Sequence, residues 1–174
     1  MDITLGDPNL GQQERDTVLD VLESGDLKGG GEYDEKSSTL IKEAFGAKRA
    51  MTTTSCTHAL ETAAMLLDIG PDDEVIVPSY TFPSTANAFV LRGADITFCE
   101  VKPSTLNMDP AHLEEVVTEE TACIVPVHYA GVACEMDAIL DIADRFDVPV
   151  VEDAAQGVNA TYQGSYLGTL GTIG

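Results

Sequence analysis

The sequence predicts an α/β fold, with a mostly parallel sheet and helices on both of its faces. Two observations carry that expectation. Short, near-continuous apolar runs bounded by turn residues recur at RAMTTT, EVIVP, DITFCEV, ACIVPV and VPVVED, and strands of this kind are buried on both sides. Between the runs the apolar positions change to helical spacing, and strands alternating with helices form parallel connections.

Taken in order, residues 12–23 place Val18, Val21 and Leu22 on one side, and residues 35–45 do the same with Leu40, Ile41 and Phe45. Both stretches read as amphipathic helices. The glycine-rich GDLKGGGEYD joins them. A strand is expected at residues 49–53, followed by a helix over 57–67 carrying Ala59, Leu60, Ala63, Ala64 and Leu67. EVIVP follows as a strand, then SYTFPSTANA, residues 79–88, as a loop. DITFCEV and ACIVPV are further strands, and residues 135–146 form a helix on Met136, Ile139, Leu140, Ala143 and Phe146. VPVVED is the last strand, and the closing GSYLGTLGTIG reads as the start of another element. Asp72, Asp73 and Glu74 form a solvated turn, while Asp141, Asp144 and Asp147 line the wet face and end of a helix.

The 174 residues suffice for one domain with a real core, and 44% of them are hydrophobic. Thirty acidic against nine basic side chains give a net charge of −21, which repels phosphate backbones and anionic membranes. Nucleic acid and membrane surfaces are excluded as expected partners. The acidic residues are scattered rather than gathered in a tail, as on a surface adapted to a salt-rich cytoplasm. Cys56, Cys99, Cys123 and Cys134 form no CxxC pair and have no histidine at ligand spacing, so no metal is expected and the thiols are read as reduced. The N-terminus lacks a basic stretch followed by an apolar one, and no apolar run approaches the ~20 residues of a membrane span. The expected location is cytoplasmic.

In an open α/β sheet, ligands bind beyond the carboxyl ends of the strands. Four loops there are chemically distinctive. TSCTHALETAA opens a helix with hydroxyl residues, which suits either a plain N-cap or a phosphate site. In SYTFPSTANA, Tyr80 and Phe82 alternate with hydroxyls; they either pack in the core or lie against a flat ring. His128 stands at a strand tip, either as a ligand contact or as a structural hydrogen-bonding group. Asp153 ends a buried strand, where a carboxylate is costly unless it caps a helix or meets a cation. One such cation is a protonated pyridine nitrogen. An anion site, an aromatic platform and a buried carboxylate at successive strand tips together describe the handles of pyridoxal 5′-phosphate.

SGDLKGGGEYDE, TSCTHAL, DEVIVPSYTFPSTANAFVLRGA, IVPVHYAG and VVEDAAQG resemble, in that order, the DegT/DnrJ/StrS family of pyridoxal-phosphate-dependent nucleotide-sugar aminotransferases. The resemblance implies the N-terminal portion of the large domain of a fold-type I aminotransferase. Residues 1–46 would supply the N-terminal helices and glycine-rich loop, and residues 47–174 the α/β cofactor-binding core. It places Cys56 and Thr57 at the cofactor phosphate and Phe82 against its ring. It also places Asp153 on the pyridine nitrogen and Gln156 on the ring hydroxyl. Gly30 and His128 fall to the substrate site, with the loop around Gly30 working across a homodimer interface. The implied substrates are a nucleotide-linked sugar, dTDP-4-keto-6-deoxyglucose, and glutamate as amino donor.

One departure from the family pattern matters. Members carry the Schiff-base lysine in a segment resembling SFHxTKN, and none of Lys28, Lys36, Lys42, Lys48 and Lys102 lies in such a segment. Without that amine as nucleophile and proton carrier, the chain itself is expected to lack turnover and to be a truncated piece of an active parent. Two other readings remain: a sugar dehydratase of similar fold, with histidine in place of the lysine, and a non-catalytic nucleotide-binding module. Against the module, the sequence has neither G-x-G-x-x-G nor a P-loop.

Overall fold

The computed structural model describes residues 8–174. These residues form two compact units, and the first ends at Ala44 and takes in Lys48–Thr52.

In the first unit, α1 (Gln12–Ser24) starts where the Glu14 carboxylate accepts the Gly11 N–H at 2.7 Å, and it stops at Gly25, whose φ is +70°. The second helix, α2 (Glu32–Phe45), begins three residues before its apolar pattern does. Its first turn holds Glu32, Asp34 and Glu35, which favour a helix start through the dipole but leave no mark on hydrophobic periodicity. No residue of either helix is fully buried.

Residues 49–53 are not a strand, contrary to expectation. A strand needs a hydrogen-bonded neighbour, and among the described residues no backbone pairs with this stretch. Thr52 instead hydrogen-bonds Asp34.

The second unit holds α3 (Cys56–Leu66), β1 (Glu74–Pro78), α4 (Ser84–Val90), β2 (Asp95–Cys99), α5 (Pro110–Val116), β3 (Thr121–Ile124) and α6 (Met136–Phe146). The strands form a parallel sheet in the order β2-β1-β3. Glu74 ties the three together at one end, accepting hydroxyl hydrogen bonds from Thr97 at 2.6 Å and Thr121 at 2.8 Å.

Beyond β3 the chain continues the parallel pattern as separate bridges. Val150 lies beside Ile124, Asp153 beside Val127, and Ile173 beside Val151. Pro126 and Pro149 donate no hydrogen bond, so the expected strand at VPVVED pairs in single steps rather than as a ladder. A short hairpin, β4 (Thr161–Tyr162) and β5 (Ser165–Tyr166), precedes the final segment.

Alternation along the strands builds two cores. Val75, Val77, Cys123, Val125 and Val151 pack on one face with Leu60, Ala63 and Ala64 of α3 and Ala88 and Phe89 of α4. Ile76, Ile124 and Val150 pack on the other with Leu113 of α5 and Met136, Ile139, Ile142 and Ala143 of α6. The expected α/β architecture with helices on both faces is present. The loop expected over residues 79–88 turns helical from Ser84. Pro83 at the N-cap already has helical φ/ψ, and burial of Thr85, Ala88 and Phe89 completes the short helix.

Ile139 is fully buried in the α6 core. Ile139→Val should lower stability by ~0.5–1.5 kcal/mol and Ile139→Ala by ~2–5 kcal/mol, read as a fall in urea midpoint at unchanged slope.

Candidate functional site

VVED answers its own chemistry by alternation, because neighbouring residues of an extended chain point to opposite sides. Glu152 and Asp153 are both nearly buried, and each is met by a different set of donors.

Glu152 is a brace. One of its oxygens accepts the Leu170 N–H at 2.7 Å and the Gly171 N–H at 2.6 Å, and the other accepts Gly168 N–H at 2.9 Å. That second oxygen also faces His128 Nε2 at 2.9 Å. The Cys134 N–H donates to His128 Nδ1 at 3.1 Å, so the ring proton sits on Nε2 and is given to Glu152. Burial alone would raise the Glu152 pKa, but the donors from His128, Gly171, Gly168 and Leu170 together hold it below its ordinary value of 4.5. Gly171 must be glycine for a packing reason: an added Cβ would lie 2.7 Å from the Val150 carbonyl oxygen.

This placement corrects the expectation that His128 contacts substrate. Its side chain is 0% exposed and both ring nitrogens are engaged inside the protein. The strand-tip position is real, but the ring points into the fold.

Asp153, on the other side, is 6% exposed. Its Oδ2 accepts the Thr85 hydroxyl at 2.8 Å, and its Oδ1 takes the Ala155 N–H at 3.2 Å and the Cys56 thiol at 3.6 Å. No basic side chain among the described residues pairs with it. A nearly buried carboxylate met only by neutral donors keeps room for one cationic donor.

Cys56 opens α3 directly beside this carboxylate. Ser55 caps the helix by accepting the His58 N–H at 3.2 Å. The amides of Cys56 and Thr57, at the first two helical positions, have no partner within the helix. Burial, reinforced by the neighbouring Asp153 charge, pushes the Cys56 thiol up to about 11. It is therefore a neutral donor near pH 7.

The aromatic residues divide. Tyr80 pairs with Tyr129, their rings 4.8 Å apart and hydroxyls 3.1 Å apart. Phe82 stays 72% exposed, and its carbonyl accepts the Thr85 N–H at 3.0 Å, so its backbone is fixed to the residue that holds Asp153. Gln156 is exposed and its Oε1 accepts the Ala130 N–H at 2.6 Å, docking AAQG against HYAG. Gly131, at φ +77°, allows that approach, since a Cβ there would come within 3.0 Å of the Gln156 carbonyl. Gly30 lies in the first unit, in the turn before α2, with φ +75°.

Phe82 thus lies just beyond the carboxyl end of β1, Asp153 and Gln156 at and beyond the bridged stretch 150–153, and Cys56 and Thr57 at the start of α3. The sequence marks Glu152 only as the neighbour of Asp153 in a pair of carboxylates ending an apolar run, with no role of its own, and does not mark Thr85. No local pattern marks Thr85, because Thr81, whose hydroxyl meets it, lies before α4 begins at Ser84.

The fold is a parallel α/β sheet covered on both faces, and at one strand tip it sets a buried carboxylate with no basic partner among the described residues beside a capped helix start, an arrangement able to hold a ligand that carries both a cation and an anion. Comparison with known proteins makes this particular: residues 8–174 match the DegT/DnrJ/EryC1/StrS aminotransferase family, and the chain belongs to it. The cofactor of this family is pyridoxal 5′-phosphate, and the residues around Asp153 and Cys56 fit that group. The chain is 39% identical over 165 residues to UDP-4-amino-4-deoxy-L-arabinose–oxoglutarate aminotransferase of Shewanella sediminis, covering 95% of itself and 42% of that protein. It is 38% identical over 169 residues to GDP-perosamine synthase of Caulobacter vibrioides, covering 97% of itself and 46% of that protein. Among solved structures, the aminotransferase from Psychrobacter cryohalolentis superposes with a TM-score of 0.91 at 38% identity, over 94% of this chain and 42% of that one. The sugar aminotransferase Spr1654 of Streptococcus pneumoniae in its PMP form superposes with a TM-score of 0.90 at 26% identity, over 98% of this chain and 47% of that one. The chain therefore spans less than half the length of these relatives. No described helix is long and apolar enough to cross a membrane.

The lowered Glu152 pKa makes a stability statement. A carboxylate whose folded pKa lies below its unfolded value stabilises the fold fully above the unfolded value, and the contribution fades as pH falls through the folded one. Glu152→Gln, which removes the charge that the three amides and the His128 N–H donate to, should therefore lower stability near neutral pH, by ~1.5–3 kcal/mol for hydrogen bonds to a charged group. The gap to the native protein should narrow below about pH 4.5, measured by urea unfolding across that range.

Proposed function

We propose that this chain forms the cofactor-holding part of an aminotransferase acting on a nucleotide-linked keto sugar. The observation that carries this reading is Asp153: nearly buried, given three neutral hydrogen bonds and no cation, and set beside the free first-turn amides of α3. Bound here, pyridoxal phosphate supplies an electron sink and carries an amino group from donor to acceptor.

The residues divide the work of holding it. Asp153 keeps a proton at the ring nitrogen. The Cys56 and Thr57 amides, with the Thr57 hydroxyl, bind the phosphate at the positive end of α3. Phe82 covers one ring face, and the amide nitrogen of Gln156 donates to the ring hydroxyl. Anchoring both ends of the ring fixes the reactive carbon between them, and this positioning lowers the barrier. The loop around Gly30 contributes to the sugar-nucleotide site in a homodimer of the full-length protein.

The substrate we assign is dTDP-4-keto-6-deoxyglucose, aminated at C4 with glutamate as donor. The relatives support the sugar class more than the nucleotide, since their names specify a UDP-sugar and a GDP-sugar product.

Pyridoxamine phosphate added to the chain should give a saturable absorbance change, and Asp153→Asn should weaken binding at least about tenfold. Equal binding by a folded Asp153→Asn protein would remove the basis of the cofactor assignment. In the full-length protein loaded with pyridoxamine phosphate, dTDP-4-keto-6-deoxyglucose should be aminated faster than the UDP- and GDP-linked analogues, as followed by mass spectrometry. A faster UDP or GDP substrate would replace the nucleotide assignment while leaving the reaction class intact.

A further inference from the structure

Two hydroxyls stand in series behind Asp153. Thr85 lies in the first turn of α4 with its side chain wholly buried, and its hydroxyl donates to Asp153 Oδ2 at 2.8 Å. That single proton is committed, so the 2.8 Å contact between the Thr81 and Thr85 hydroxyls has Thr81 as donor. Both hydrogen bonds run toward the carboxylate.

The two Asp153 oxygens are held unequally. Oδ2 has a short bond from a β-branched side chain whose χ1 is stiff and whose backbone is seated in a helix. Oδ1 has a longer bond from the Ala155 N–H at 3.2 Å and a contact from the Cys56 thiol at 3.6 Å, a weak donor. An incoming N–H cation displaces or joins the thiol at Oδ1 more readily than it displaces the hydroxyl at Oδ2.

We propose that Thr85, backed by Thr81, is a positioning residue: it clamps Oδ2 so that Oδ1 of Asp153 is presented to the protonated ring nitrogen of the cofactor. This rests on the cofactor assignment made above and deepens it. Thr85 touches no reacting atom. It acts by fixing the plane of the carboxylate, and Thr81 orients the Thr85 hydroxyl by filling its acceptor side.

The test uses pyridoxamine 5′-phosphate as ligand and compares the native chain with Thr85→Val, Thr85→Ser, Thr81→Val and Asp153→Asn. Folding is checked by circular dichroism. The readouts are the dissociation constant and the pH at which the absorbance of the bound ring changes. Thr85→Val should weaken binding about tenfold and lower that pH by about one unit, while Thr85→Ser, which keeps the hydroxyl, should restore both. Should Thr85→Val fail to fold, Thr81→Val decides: it should move both readouts in the same direction by a smaller amount, and no movement overturns the clamp. Equal losses in Thr85→Val and Thr85→Ser would mark a purely structural role and overturn it too. A Thr85→Val protein indistinguishable from the native one, with Asp153→Asn still impaired, would overturn the clamp and leave the cofactor site standing. No binding by the native chain would overturn both.

Discussion

A carboxylate inside a protein survives only where donors replace the water it has lost. The strand tip at Glu152 and Asp153 sets that problem twice in succession and solves it in two ways. Glu152 is answered by three backbone N–H groups and a neutral imidazole, which consume its acceptor capacity and bind residues 168–171 to the sheet. Asp153 is answered by a hydroxyl, one N–H and a thiol, which orient it without neutralising it. The first arrangement closes a structure, and the second leaves one open. They are linked through the backbone as well, because the His128 N–H donates to the Asp153 carbonyl at 3.1 Å and the Asp153 N–H to that of Pro126 at 2.9 Å. The residue that braces Glu152 therefore also fixes the peptide that carries Asp153.

The parts of this arrangement come from opposite sides of the sheet and depend on its twofold alternation. On the face carrying Val75, Val77 and Val151, the small side chains Ala63, Ala64 and Ala88 let α3 and α4 pack closely against the strands. That packing brings the start of α3 and the first turn of α4 to one carboxylate. A one-residue slip of the strand at 150–153 would exchange Glu152 and Asp153 between the two environments. Glu152 would then face the open side and Asp153 the closed one.

How much of this is legible in the sequence depends on whether a contact leaves a local pattern. β1, β2, β3 and α6 follow from runs and periods, and Asp153 stands out as a charge ending an apolar run. The strand expected at residues 49–53 fails because strand pairing is non-local, and apolar or β-branched character alone supplies no partner. The early start of α2 and the helix at 84–90 were hidden by the opposite circumstance: acidic first-turn residues and a helical Pro83 act through backbone electrostatics and dihedrals rather than through apolar spacing. Cys56, Thr57, Phe82, Asp153 and Gln156 are assigned to the cofactor by the resemblance, and the sequence leaves the directions of their side chains open. His128 shows the consequence, since its place at a strand tip is the same whether the ring faces a ligand or Glu152.

The charge of the whole chain sharpens the demand on the site. A net charge of −21 opposes the approach of any phosphate. No lysine or arginine lies among the residues of this chain proposed for the cofactor, so what this chain offers a phosphate is a set of oriented neutral groups: the first-turn amides of α3 and the Thr57 hydroxyl. Such donors act over the length of one helical turn, whereas the repulsion is spread over the surface and is screened within ~10 Å at 0.1 M salt. Neutral donors of this kind act on an anion at contact and add no steering at a distance. Thr85 holds the Asp153 carboxylate, the Ser55 cap fixes the start of α3, and the Cys56 thiol joins the two at 3.6 Å.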